Sequence, residues 1–161
     1  MTSVTPKMRA LVLLPCLALF ALIAPSLSAQ PHVRVSVSDA WIRATPPGAT
    51  TAGGYFTLTN HGREPVRLVS ASTPAASKLE LHHMSMAGGV MTMRPMPNGA
   101  TVAPGASLRL APGGDHLMLT GLKRPLKAGD HVRVVLNLVP GGAMTFDFPV
   151  RQDAPMAGMK M

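Results

Sequence analysis

His82, His83, Met84, Met86, Met91, Met93, Met96, His116 and Met118 fall within one stretch, Leu81 to Leu119, that holds no cysteine and a single acidic residue, Asp115. Imidazole and thioether, without thiolate or clustered carboxylate, make a soft and uncharged donor set. Calcium and magnesium need oxygen donors, and structural zinc draws on thiolates or several imidazoles. The set suits Cu(I), a d¹⁰ ion that accepts three or four soft ligands. Neutral donors leave the charge of such an ion uncompensated, which favours binding that can still exchange.

The elements that must position these donors read as strands. Val33, Val35 and Val37 alternate with Arg34 and Ser36, and Tyr55 to Thr59 runs into the turn Asn60-His61-Gly62. Val66 to Ala71, Lys78 to Ser85, Val90 to Met93, Ser107 to Leu110, His116 to Leu122, His131 to Val139 and Ala143 to Val150 follow in the same style. Between them lie Ala87-Gly88-Gly89, Pro97-Asn98-Gly99, Pro104-Gly105, Pro112-Gly113-Gly114 and Pro140-Gly141-Gly142. Many short strands at this spacing predict an all-β sandwich or closed barrel.

Residues i and i+2 of a strand share a face. In His116-Leu117-Met118-Leu119 the leucines go to the core, so His116 and Met118 face the other way. By the same rule Met91 and Met93 share a face, and His82 lies beside Met84 and opposite His83, which joins Leu81 on the core side. Three segments thus project His82, Met93 and the pair His116 and Met118 toward one point. His83 serves as an alternative or supporting ligand. Met91, Met96 and Met144 suit core or rim packing, since methionine fills irregular gaps. His61 and His131 have no methionine neighbour and suit the surface.

Composition sets the compartment. Lys7 and Arg9 precede an apolar run from Ala10 to Ala24, followed by Ser26, Ser28 and Ala29, the three-part layout of a cleavable secretory signal over residues 1–29. The run is too short to span a bilayer. The one cysteine, Cys16, lies inside it behind Leu13-Leu14-Pro15, without the small residue expected ahead of a lipid-modified cysteine. The mature chain then has no thiol, so it makes no disulfide and no thiolate metal site. About 130 of the 161 residues remain, enough for one domain over 30–151. A Met-bearing tail over 152–161, with Met156, Met159 and Met161 among Ala, Pro, Gly and Lys, shows no strand pattern. Without Lys7 and Arg9 the formal charge of +8 becomes +6. Its arginines are scattered rather than interleaved with aromatics, which argues against nucleic acid. The acidic residues are isolated and no nucleophile setting appears, so no enzyme is expected. His32 in third place after Pro31 cannot build an amino-terminal Cu(II) site, because proline has no amide to deprotonate.

Longer stretches carry a resemblance. Asp39-Ala40-Trp41-Ile42-Arg43-Ala44-Thr45-Pro46-Pro47-Gly48, Gly54-Tyr55-Phe56-Thr57-Leu58-Thr59-Asn60, Glu80-Leu81-His82, Gly89-Val90-Met91-Thr92-Met93-Arg94 and Pro112 to Leu119 together resemble the PCuAC-type periplasmic copper chaperones over roughly Val35 to Val150. The family motif is a histidine, ten residues, a methionine, about twenty-one residues, then His-x-Met. Here ten residues separate His82 from Met93, and twenty-two separate Met93 from His116, one more than usual. The resemblance implies a cupredoxin-like Greek-key β-sandwich, with His82, Met93, His116 and Met118 binding Cu(I). His83, Met84, Met86 and the tail methionines Met156, Met159 and Met161 are further donors, the tail for a second copper ion. It also implies a periplasmic copper chaperone; a monomer without a membrane span in the mature chain is expected. That chaperone would serve the dinuclear copper centre of cytochrome oxidase, alongside the oxidase's copper-bearing subunit and Sco-type proteins. A storage or resistance protein without a dedicated oxidase acceptor is the alternative. An electron-transfer cupredoxin is disfavoured, since blue-copper centres need a cysteine thiolate. A sandwich whose methionines only pack would take up no Cu(I).

Overall fold

The computed structural model describes residues 33–152. The signal segment with Cys16, His32 and the tail donors Met156, Met159 and Met161 lie outside the described residues. Ten strands follow in chain order: β1 (Val35–Arg43), β2 (Thr51–Asn60), β3 (Val66–Ser72), β4 (Ala76–Ala87), β5 (Val90–Pro95), β6 (Ala100–Val102), β7 (Ser107–Leu110), β8 (His116–Leu122), β9 (His131–Val139) and β10 (Gly142–Arg151). Among the described residues no helix is long and apolar enough to cross a membrane.

The strands form two sheets. One runs β5-β4-β8-β2-β1, and the other β10-β9-β3-β6. A short parallel contact between β1 and β10, at Ile42 with Val150 and Arg43 with Arg151, joins them at one edge. One edge of β2 is shared: its first half pairs with β8 and its second half with β7. The Pro112-Gly113-Gly114 loop between β7 and β8 therefore opens onto the middle of β2, where His116 begins β8.

Alternation places the core as expected. Phe56 and Leu58 of β2, Leu117 and Leu119 of β8, and Leu79 and Leu81 of β4 are buried. Val132, Val134, Leu136 and Leu138 of β9, with Phe148 and Val150 of β10, are buried within the same core cluster. Phe56 meets Phe148 edge to face across the sandwich at 5.7 Å between ring centres. Each fully buried large aliphatic or aromatic side chain contributes roughly 1.5–3 kcal/mol by leaving water, so this two-sheet core dominates the stability.

Two local devices depart from simple alternation. The β1–β2 register shifts between Ser38 and Trp41, and Asp39 there has φ of 52°, a left-handed conformation that Asp tolerates better than most residues. The bulge lets consecutive residues Trp41 and Ile42 both be buried. Ile42 enters the core, while Trp41 stacks on Tyr55 at 4.6 Å. Strand β6 went unread in the sequence because three residues between two turn signals are too few to display a period. It is held to β2 by Asn60, the one buried polar residue among those described. The Asn60 Nδ2 donates to the Glu64 and Val102 carbonyls, and its Oδ1 accepts from the Gly62 amide.

Candidate metal centre

The ladder registers bring the donors together. His82 of β4 sits directly opposite His116 of β8, and Met84 of β4 directly opposite Met93 of β5. Glu80 faces Met118, which in turn faces Gly53 of β2. Directly opposed residues in an antiparallel pair share a face. His82, Met84, Met93, His116 and Met118 therefore all stand on the outer face of the first sheet, away from Leu81, Leu117 and Leu119. A cleft on this face is lined by Met84, Met93, His116 and Met118, with Tyr55, Gly53, Arg43 and Thr45 on its other wall. No carboxylate lines it.

His82 shares this face but does not line the cleft. Its ring is 5.8 Å from that of His116, tilted by 49°. A metal–imidazole bond is about 2 Å long, so two rings sharing one ion have centres about 6 Å apart or less. Both ring nitrogens of His82 are buried and lack a hydrogen-bond partner. The nearest acceptor, Glu80 Oε2, is 3.7 Å from Nε2, beyond hydrogen-bond reach. Glu80 is instead engaged by the Lys78 ammonium at 2.9 Å. That hydrogen bond holds the Glu80 carboxyl below the usual carboxylate range. Buried polar atoms without partners are rare and call for a cause.

The ring of His116 is held in one tautomer. Its Nδ1–H donates to the Gly114 carbonyl at 3.0 Å, which leaves the lone pair on Nε2. The packing around the cleft is tight: a Cβ on Gly53 would lie 2.7 Å from the Tyr55 hydroxyl oxygen. Glycine there lets the Tyr55 ring lie across the sheet as the wall opposite Met118.

The other sequence-level candidates separate. His83 alternates with His82 as predicted, but it is exposed rather than in the core, because β4 outruns the sandwich at that point. Its ring instead meets Asp115 Oδ1 at 2.6 Å, bracing the residue that precedes His116. Met86 projects further along the same face as Met84. Met96 and Met144 pack against the core, as expected. Met91 does not; it stands exposed on the β4–β5 hairpin. His61 and His131 lie exposed on the surface. Among the described residues no three His, Cys, Asp or Glu side chains converge on a point that could hold a metal. Tyr55, Gly53 and Glu80 were not singled out as site residues in the sequence. Only the position of Glu80 two residues before His82 signalled its shared face.

Comparisons with known proteins bear on the family and the fold. Residues 35–150 match the protein family described as "Putative lipoprotein LpqE-like". A protein of Leifsonia xyli subsp. xyli, described as a "Putative lipoprotein", is 40% identical over 117 residues, covering 73% of this chain and 69% of its own. The solution structure of CuI-DR1885 from Deinococcus radiodurans superposes with a TM-score of 0.57 at 33% identity, over 80% of this chain and 84% of that one. A copper-bound PCuAC domain from PmoF2 superposes with a TM-score of 0.63, over 75% of this chain and 96% of that one. At 21% identity the last likeness speaks for the cupredoxin-like sandwich alone.

Proposed function

The chain belongs to the LpqE-like family, and from that membership, the PCuAC fold and the outer-face donors we propose that it carries Cu(I) in the bacterial cell envelope. The observation that supports this most is His82: a half-buried imidazole whose two nitrogens are buried without a partner, 5.8 Å from His116, which lines a cleft with Met84, Met93 and Met118. In this reading His82, Met93, His116 and Met118 hold the ion, as the family resemblance implies. Met84, opposite Met93 on the ladder, reaches the same cleft and supplies a spare donor.

The residues divide the work. The Gly114 carbonyl fixes the tautomer of His116. His83 and Asp115 hold the start of β8 against β4. Tyr55 closes the far wall, while Met93 stays about half exposed at 46%. A thioether open to solvent can be replaced by an incoming donor without unfolding the site. That suits transfer by ligand exchange rather than permanent retention.

Envelope location fits the family and relative descriptions, both of which say lipoprotein. Mass analysis of the mature amino terminus decides between cleavage after Ala29 and lipid modification at Cys16. The destination proposed for the ion is the dinuclear copper centre of cytochrome oxidase, with Sco-type proteins as co-workers. The test has two stages. Titration with Cu(I) under reducing conditions, against a chromophoric chelator, should show uptake in the tight-binding range. The loaded protein should then hand its ion to the soluble copper domain of an oxidase subunit. No uptake would sink the carrier reading; tight retention beside the acceptor would convert it to storage.

A further inference from the structure

The β4–β5 hairpin carries a second group of sulfur donors beyond the cleft. Ala87 pairs with Val90 across Gly88-Gly89, whose φ values of 59° and 78° match the mirror-image turn that suits a two-residue hairpin. That turn locks Met86 directly opposite Met91, one step outward from the opposed pair Met84 and Met93. All four thioethers therefore stand on one face. Opposed Cβ atoms lie about 5 Å apart and successive same-face positions about 7 Å apart. Flexible thioethers span both distances.

The exposure of this group is unusual. Met86 is 68% and Met91 53% exposed, and with Val90 and Met93 they make up four of the five large exposed hydrophobic residues among those described. A strand tip with such side chains invites aggregation unless they have another use. Lysine or threonine would serve better on a tip that only had to be soluble.

We infer that Met84, Met86 and Met91 form a second Cu(I) site on the hairpin face, with Met93 shared between this site and the first. Three thioethers satisfy a d¹⁰ ion without fixed geometry. The site is weaker than the first because it lacks imidazole and is more open to water. Its place, one ladder step outside the cleft, makes it the entry and exit point for copper moving to and from His82 and His116. The inference rests on the carrier reading above and deepens it.

The experiment uses the full chain and Cu(I) itself, measured by chelator competition, with the methionine methyl groups followed by NMR. Wild type should take up two ions, and the second should shift the Met86 and Met91 methyl signals. Met86→Leu/Met91→Leu, which keeps volume on an exposed hairpin, should bind one ion with first-site affinity changed less than about twofold. Replacing the tail methionines, Met156→Leu/Met159→Leu/Met161→Leu, should leave both ions. His116→Ala should lose the strong ion and keep the weak one. Uptake of a single ion by wild type, or a second ion that survives Met86→Leu/Met91→Leu, overturns the hairpin site and leaves the carrier reading standing. Loss of the second ion with the tail replacements also overturns it. No uptake by wild type removes the carrier reading as well.

Discussion

Replacing His82 by leucine should make the metal-free protein more stable and reduce how much Cu(I) stabilises it. In the apo fold both His82 nitrogens are buried without a partner. An unmade buried hydrogen bond costs roughly 1–3 kcal/mol. Glu80 Oε2, 3.7 Å away, relieves part of that cost at one nitrogen, so His82→Leu should stabilise the apo form by about 1–2 kcal/mol. For a domain of this size that raises Tm by about 3–8 °C. Loss of an imidazole ligand should weaken Cu(I) at least tenfold, about 1.4 kcal/mol. Free Cu(I) at a hundred times the wild-type Kd stabilises the wild type by about 2.7 kcal/mol, and a variant that binds tenfold more weakly by about 1.4 kcal/mol. Thermal denaturation with and without Cu(I) should therefore show the variant's lead in stability shrinking by about 1.3 kcal/mol or more once copper is added. A variant that is less stable than wild type without metal, yet gains as much from Cu(I), would show that His82 is a packing residue and refute the reasoning.

Met118→Ala and His116→Ala should each weaken Cu(I) at least tenfold in chelator competition while circular dichroism stays that of the sandwich. Gly99→Ala should destabilise by about 2–4 kcal/mol in urea titration, because Gly99 has φ of 69° and its Cβ would lie 1.8 Å from the Leu68 carbonyl oxygen. Asp130 accepts from the Lys127 amide at 3.0 Å and from the Arg124 guanidinium at 2.7 Å. The amide bond first, and then the guanidinium, hold its carboxyl below the usual value. The unfolded chain then binds the proton more readily, so this contribution is present above about pH 4 and lost as pH falls through the lower folded value. Asp130→Asn should flatten that acid limb when urea midpoints are compared across pH. Peroxide should oxidise the exposed Met86, Met91 and Met93 before Met96 and Met144. Peptide mapping should show that order, with Cu(I) uptake falling as Met93 reacts.

The sequence alone determined the chemistry and the class of fold. Sulfur and imidazole without thiolate pointed to a soft ion, and period-two runs between glycine and proline turns pointed to an all-β sandwich or closed barrel. Alternation also separated His116 and Met118 from Leu117 and Leu119, since a strand can present only two faces. What alternation could not supply is register between strands far apart in the chain. That His82 opposes His116, and Met84 opposes Met93, follows from how β4 seats between β5 and β8. The same limit explains His83, which keeps the face predicted for it but finds Asp115 rather than the core. A face is buried only where another sheet covers it, and β4 runs past the end of that cover. Burial of His82 without a partner, the exposure of Met86 and Met91, and Tyr55 lying over Gly53 are likewise tertiary outcomes. Each depends on which surface meets it, and that is settled only once both sheets have closed on their shared core.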